Sequence, residues 1–371
     1  MENKKIAIID PVGSKAGMNY YDIGLLSGLQ KLNIQTYLFS NFSNAGNGII
    51  CYNIFDSFIK NKLKKGIRQL LAHFKAYRIC RKENIQWVIF HVFSVKLSTL
   101  IFCFLSRLFN FKTLLIAHDV DSLAGDDNKF FKKIIYKFLN DHVVVHNKYS
   151  SQKISKIISA EKYSQIQQGA YPHLVNKKIT QSLAKEKLGF DKNTHYVLFF
   201  GQIKKLKRLD ILINSMSYVD KKIKLVIAGK PWKDDFSKYQ KLIEENKLEN
   251  KIIQQIGFVN DHDRELLMKA SDAIIFPYEE VYQSAALLMG MSYGLAVIVS
   301  DIDPFKEIIK ENKNGLFFKS LDSIDLSKKI NFLFKDNNLL IQLKKGSLNS
   351  INSELSWDSI AFKYKKIFNL Y

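Results

Sequence analysis

Short apolar runs rich in Ile, Val and Leu recur along this 371-residue chain, and between them apolar positions fall at helical spacing. That alternation constrains the fold more than any other feature. Parallel strands need a crossover to return, so alternating strands and helices predict parallel sheets with helices on their faces. In the first half the pattern predicts strands at residues 6–9, 35–39, 87–90, 113–117 and 143–145. Helices are expected near 20–32, 57–82, 96–109, 129–139 and 149–159. A second series has strands at 196–200, 224–228, 252–255, 273–276 and 296–299. Its helices are expected near 208–216, 236–246, 263–269, 283–293 and 305–310, followed by a helical tail at 324–334, 338–351 and 357–368. The polar stretch 165–180, with one Gly and one Pro, reads as the linker.

A chain of this length exceeds what a single core usually organises. The expectation is therefore an α/β protein of two Rossmann-like domains, residues 1–170 and 181–355, with a last helix over 356–371. Ligands of such folds sit at the C-terminal ends of the strands, so a cleft there is the expected site.

Three cysteines, Cys51, Cys80 and Cys103, match no metal-binding spacing and no CxxC, which points to a reducing compartment. The charged start MENKKIAIID leads straight into an apolar run without the long hydrophobic region of a secretory signal. No 18-residue apolar stretch occurs, so a cytoplasmic protein is expected.

The net charge of +21 is concentrated early: residues 1–175 carry 24 Lys/Arg against 11 Asp/Glu. The acid-free segment 57–82 places Phe58, Leu63, Ile67, Leu70, Leu71 and Phe74 at helical spacing among its cations. It suits either a helix packed on a sheet with a solvated lysine face or an anionic membrane surface. No RRM, zinc-finger or basic-zipper signature accompanies the charge, and no nucleic-acid partner is expected.

Three loops could carry chemistry. After the first strand, DPVGSKAGMN places Gly13 and Gly17 before a helix, where a ligand could approach free backbone N–H groups. It is neither GxGxxG nor a P-loop, and a simple tight turn also fits. After the strand 196–200, FGQIKKLKRLD puts Gly201, Lys204, Lys205, Lys207 and Arg208 beside a helix start. Cations there oppose the helix dipole unless an anion joins them, and a diphosphate would do so through Lys204 and Lys207. The third loop follows the strand 273–276: Tyr278, Glu279, Glu280, then Gln283, Ser284 and Ala285 at a helix start, with Gly294 closing that helix. Its N–H groups suit a phosphate, and its carboxylates suit sugar or ribose hydroxyls.

Residues 196–318 resemble the donor-binding domain of family 4 retaining glycosyltransferases of the GT-B fold. The matching pieces run in the family's order: FGQIKKLKRLDIL, KLVIAGK (with Gly229 and Lys230), IGFVND, SDAIIFPY, QSAALLMGMSYGLAVIVSD and EIIKENKNGLFF. The first half is similar more loosely, through the Gly13–Gly17 loop, LLIAHDVD at His118 and Asp119, and VVVHN at His146. The closing SWDSIAFKYKKIF is similar to the family's last helix, which packs back on the first domain. Two departures stand out. Val281 and Met289 occupy the register of the family's E-x7-E pair, and Gln202 and Arg208 stand where the family carries Arg and Gly.

The resemblance implies transfer from a nucleotide sugar to a saccharide or lipid-linked saccharide with retention of configuration, in capsule, exopolysaccharide or O-antigen synthesis of bacterial type. It also implies no divalent metal and no other cofactor. Lys207, Lys204 and Ser284 would hold the leaving phosphate, His118 would face the donor sugar, and Asp119 would assist. Inner-face peripheral membrane association would suit a lipid-linked acceptor. The rivals are a catalytically silent GT-B module that partners another transferase, and a sugar-nucleotide epimerase or phosphorylase.

Overall fold

The computed structural model of the chain describes residues 4–14, 17–46, 48–55, 61–121, 128–233 and 235–370. It divides into two compact units, Met1–Gly169 with Glu354–Tyr371, and Ala170–Ser353.

The first unit is built on β1 (Lys5–Ile9), β2 (Gln35–Ser40), β3 (Ile50–Asn53), β4 (Trp87–Val92), β5 (Lys112–Ala117), β6 (His142–Val145) and β7 (Tyr163–Gln165). The sheet order is β3-β2-β1-β4-β5-β6-β7, and every pairing is parallel. Side chains alternate across the sheet, so Ala7 and Ile9 enter one core while Ile6 and Ile8 enter the other. Both faces are covered, which is why these strands read as unbroken apolar runs.

Helices Lys62–Lys82, Leu97–Leu108 and Lys129–Phe138 cover the first face through Ala76, Cys103 and Tyr136. Helices Met18–Gln30 and Trp357–Leu370 cover the second through Leu25, Leu29, Ile360 and Phe368. The Trp357 ring lies where a Cβ on Gly24 would come within 2.1 Å and one on Gly169 within 2.5 Å. Any larger residue at either position would displace the indole. The helix over Trp357–Leu370 is further tied by Tyr21 to Tyr364 (hydroxyls 2.9 Å apart) and by Lys31 to Asp358 (2.8 Å).

The second unit repeats the plan with β8 (His195–Phe200), β9 (Ile223–Gly229), β10 (Ile252–Ile256), β11 (Ala273–Phe276), β12 (Ala296–Ser300) and β13 (Leu316–Phe318). Its order is β10-β9-β8-β11-β12-β13, again all parallel. Helix Gln181–Lys187 leads into it, directly after the stretch read as linker, where the sequence reading assigned no element. In each unit the strand order reverses once, between β1 and β4 and between β8 and β11. Loops diverge at such a point, which is where folds of this kind place their ligands.

Several boundaries differ from the sequence reading. The strands β3, β7 and β13 are short and lie at or next to sheet edges, and their few residues raised no apolar run. The basic helix begins at Lys62; residues 57–60 of the expected span lie outside the described residues. The helix expected at 305–310 is a single turn, Asp303–Lys306.

Candidate active site

The candidate residues fall into two groups, one in each unit, each at its sheet's reversal point. In the second unit the chain leaves β8 at Gly201, whose φ is 109°, and forms a one-turn 3-10 helix, Lys205–Lys207. Gly201 sits against Gly229, the last residue of β9: a Cβ on Gly229 (φ 153°) would lie 1.9 Å from the Gly201 carbonyl oxygen. Both positions need glycine, the second on steric grounds alone.

The 3-10 turn aims Lys207 back toward the sheet. Its Nζ lies 4.9 Å from the centroid of the buried Tyr278 ring, and a Cβ on Gly201 would come within 3.3 Å of it. Among the described residues no carboxylate pairs with this ammonium, and desolvation lowers its pKa to about 8. A desolvated, unpaired cation at a reversal point is costly to maintain unless an anion joins it. Tyr278 itself is buried, burial raises its phenol pKa with Ser284 nearby opposing, and its hydroxyl has no hydrogen-bond partner among the described residues.

Arg208 behaves differently from its neighbour. It stands at φ 48°, ψ 49°, a left-handed conformation that favours glycine, and begins helix Leu209–Ser215. Its guanidinium grips Asp210 at 2.7 and 3.0 Å and Glu279 at 3.0 Å. The Glu279 amide also donates to the Leu206 carbonyl at 2.9 Å. The loops after β8 and β11 are therefore clamped together. Part of the clash between cations and helix dipole is answered internally, by Asp210 and Glu279, and Glu279 is committed to this clamp. Glu280 is exposed.

Lys204 stands before the 3-10 turn with its Nζ 4.4 Å from the Trp232 ring centroid, and Lys233 lies 4.8 Å from the same ring. Lys230 is exposed, and its carbonyl accepts the Ile203 amide at 2.9 Å. Helix Ala285–Ser292 is capped by Ser284, whose hydroxyl accepts from the Leu287 amide at 3.2 Å. The first-turn amides of Ala285 and Ala286 have no intrahelical partner, which leaves donors for an anion. Gln283, just upstream, is half-buried. The structure thus brings Gly201, Lys207, Tyr278 and Glu279 together with the Gly229 strand end, whereas Lys204 turns to Trp232.

In the first unit the Gly13 loop is held by Asp10, whose carboxylate accepts the Val12 amide at 2.9 Å and the Gly13 amide at 2.7 Å. A Cβ on Gly13 (φ 49°) would collide with Asn41 and Ser40, so this glycine serves the packing of the turn. Gly17, also left-handed, precedes helix Met18–Gln30. Lys15 and Ala16 of the same loop lie outside the described residues.

His118 follows β5, and its amide bonds the Val92 carbonyl at 2.9 Å. Its ring stacks on Phe93 with centroids 4.5 Å apart. Its Nε2 lies 2.8 Å from Nδ1 of His91, whose Nε2 lies 2.8 Å from Oδ1 of Asp22. Asp22 and His91 are both buried, and the sequence reading did not single them out. Burial raises the Asp22 carboxyl to about 7, with a hydrogen bond to Asp10 opposing, and burial lowers His91 to about 4. His118 is pushed well below the usual imidazole range by desolvation and by its two histidine neighbours.

This chain of two hydrogen bonds has two proton arrangements. With Asp22 protonated, its O–H donates to His91, His91 donates to His118, and His118 presents an N–H at Nδ1. With Asp22 ionised the direction reverses and His118 presents a lone pair. Asp22 therefore sets whether His118 acts as donor or acceptor. His146 packs 5.1 Å from His118, centroid to centroid, and its Nδ1 donates to the Ile166 carbonyl at 2.7 Å. Asp119 is half-buried, and Asp121 pairs with Lys132 and Lys153.

Residues 180–349 match the family model described as Glycosyl transferases group 1. An uncharacterized glycosyltransferase of Methanocaldococcus jannaschii is 26% identical over 188 residues, 50% of this chain and 46% of that protein. The matched region spans about half the length of the curated relatives. Among solved structures, sucrose-phosphate synthase from Thermosynechococcus elongatus superposes with a TM-score of 0.78 at 17% identity, covering 99% of this chain and 98% of the other. HepE of Anabaena, in complex with UDP-glucose, superposes at 0.76 with 15% identity, covering 99% and 100%. These likenesses establish the two-domain GT-B fold.

Proposed function

We propose that this chain, whose residues 180–349 form a glycosyl transferases group 1 domain, transfers a sugar from a nucleoside-diphosphate sugar to a hydroxyl of a saccharide or lipid-linked saccharide. The observation that carries the reading is Lys207: a desolvated ammonium with no carboxylate partner among the described residues, beside a tight glycine pair and against Tyr278, which lies next to Ser284 at a helix N-terminus. As the bond from the anomeric carbon to the phosphate oxygen breaks, negative charge grows on the diphosphate. A preorganised cation with amide donors stabilises that charge more than the ground state.

On this reading Lys207 and the amides of Ala285 and Ala286 take the leaving diphosphate, with Lys204 and Ser284 in support. Trp232, Glu280, Gln283 and Lys230 are left for the rest of the donor. In the first unit His118 contacts the transferred sugar or the acceptor hydroxyl, with Asp119 beside it. The acceptor oxygen bonds to the anomeric carbon, and its proton leaves with the diphosphate. Attack on the face the diphosphate vacates gives retention, which the resemblance supports. Cationic side chains and amides take the place of a divalent metal, so turnover is expected to persist in EDTA.

The test is release of nucleoside diphosphate from labelled UDP-, GDP- and ADP-sugars with and without candidate acceptors, alongside a thermal-shift screen of the same nucleotides. Acceptor-dependent release supports the transferase. Binding without release in any donor–acceptor pair points instead to a silent donor-binding module.

A further inference from the structure

The structure assigns a second surface that the transfer reaction does not use: the outer face of the three helices over the first sheet face, which we propose docks on an anionic lipid bilayer. This reaches beyond the donor and acceptor sites, and its test does not depend on them.

Helices Lys62–Lys82, Leu97–Leu108 and Lys129–Phe138 lie side by side over one face of the first sheet and share one core. With that core satisfied, their outer surfaces should be polar. They are not. Along the first helix Leu63, Ile67, Leu71 and Phe74 form a stripe at spacings of four, four and three residues, and all are exposed, Leu63 at 81%. Along the second, Leu97, Ile101, Phe104 and Leu108 form a matching exposed stripe, Leu108 at 68%. The third adds Phe130 and Phe138, both about two-thirds exposed. Scattered exposed leucines are ordinary, but two aligned stripes on adjacent helices are a patch.

The charge on this face identifies the occupant. None of the three helices contains an Asp or Glu, while Lys64, Lys65, Arg68, Lys75 and Arg78 are exposed on the first and Lys129 and Lys133 on the third. A protein partner would have to match apolar stripes and a predominantly cationic surface together. Nucleic acid would answer the cations and leave the stripes in water. A bilayer with acidic headgroups answers both at once, with phosphates at the lysines and acyl chains at the stripes. Among the described residues no helix is long and apolar enough to cross a membrane, so the fit is to a surface lying in the headgroup plane.

The experiment is flotation of the full chain with vesicles of phosphatidylcholine alone and of phosphatidylcholine mixed with phosphatidylglycerol, at low and high salt. The native chain is expected to float with the mixed vesicles and to stay behind with neutral ones. Each cation near an anionic surface contributes about fivefold in partition, so K64E/K65E/R68E is expected to lower binding at least ~30-fold. I67S/L71S/F104S keeps every charge and is expected to lower it ~10-fold or more. All six side chains are exposed, so both variants are expected to keep the native melting temperature within about 3 °C. Three results would overturn the proposal. One is no binding to mixed vesicles, and another is unchanged binding in the serine variant. The third is a native chain that is dimeric in solution and becomes monomeric in the serine variant, which would make the face a contact between copies.

Discussion

At the residue scale the proposed chemistry rests on two side chains held in unusual states, Lys207 and His118. Lys207 is charged below its pKa of about 8 and neutral above it. Donor affinity is therefore expected to fall as pH rises through about 8, visible as a rising KM for the sugar nucleotide; a flat KM across that range would remove Lys207 from the phosphate. Lys207→Ala is expected to lower turnover at least about 100-fold, the scale of a lost transition-state charge contact. His118 is governed from behind by His91 and Asp22. With Asp22 titrating near 7, the native pH–rate profile should carry a limb near neutrality. Asp22→Asn keeps a donor toward His91 but cannot ionise, so that limb should vanish while circular dichroism stays native. A limb that survives in Asp22→Asn would break the proposed link. The sequence did point to His118, as a histidine following a strand. It also held a signal for Asp22 that passed unread: an acid on the stripe with Leu25, Leu26 and Leu29, where an amphipathic helix should be apolar.

At the scale of elements, the second unit was the more readable, because each central strand ends in a loop with its own glycine or proline punctuation. The edge strands were not. Residues 50–53 and 163–165 are too short and too polar to stand out, and only neighbouring strands recruit them. Helix Gln181–Lys187 begins just after the stretch read as linker and drew no assignment, because its seven residues carry only Leu183 and Ala184 as apolar positions. The Arg208 clamp was legible only as an anomaly, an arginine where the resemblance leads one to expect glycine. The fold resolves it by accepting the left-handed backbone and anchoring the side chain to Asp210 and Glu279. Glu279→Gln is expected to loosen the loops after β8 and β11 and to raise the donor KM several-fold while leaving kcat within about twofold, because the clamp positions the site without touching the reacting atoms. At the start of helix Ala285–Ser292, Ser284→Ala removes the cap and should cost about 1 kcal/mol of stability, read by denaturant unfolding.

At the scale of the whole molecule the histidines set the response to acid. His73, His91, His142 and His146 are held by burial at about 4, and His118 and His173 also lie below their ordinary value. Unfolded, each would take up a proton near 6.5, so between about 6.5 and 4 the unfolded chain binds more protons and stability falls as pH drops. Asp10 and Asp22, raised to about 7, act in the opposite sense over the same window, but they are two against six. The expected outcome is a melting temperature that declines steeply below about pH 6. A melting temperature that is flat down to pH 4 would contradict the buried neutral histidines.

The seating of Trp357 between Gly24 and Gly169 has a consequence for biosynthesis. The earliest-made half of this polypeptide cannot close its second apolar face by itself, because the helix that seals it is translated only after all six strands of the other lobe. A nascent chain stalled midway would expose Leu25, Leu29 and Trp87 to chaperones or to self-association. Completion of the first lobe is thereby coupled to synthesis of the whole second lobe.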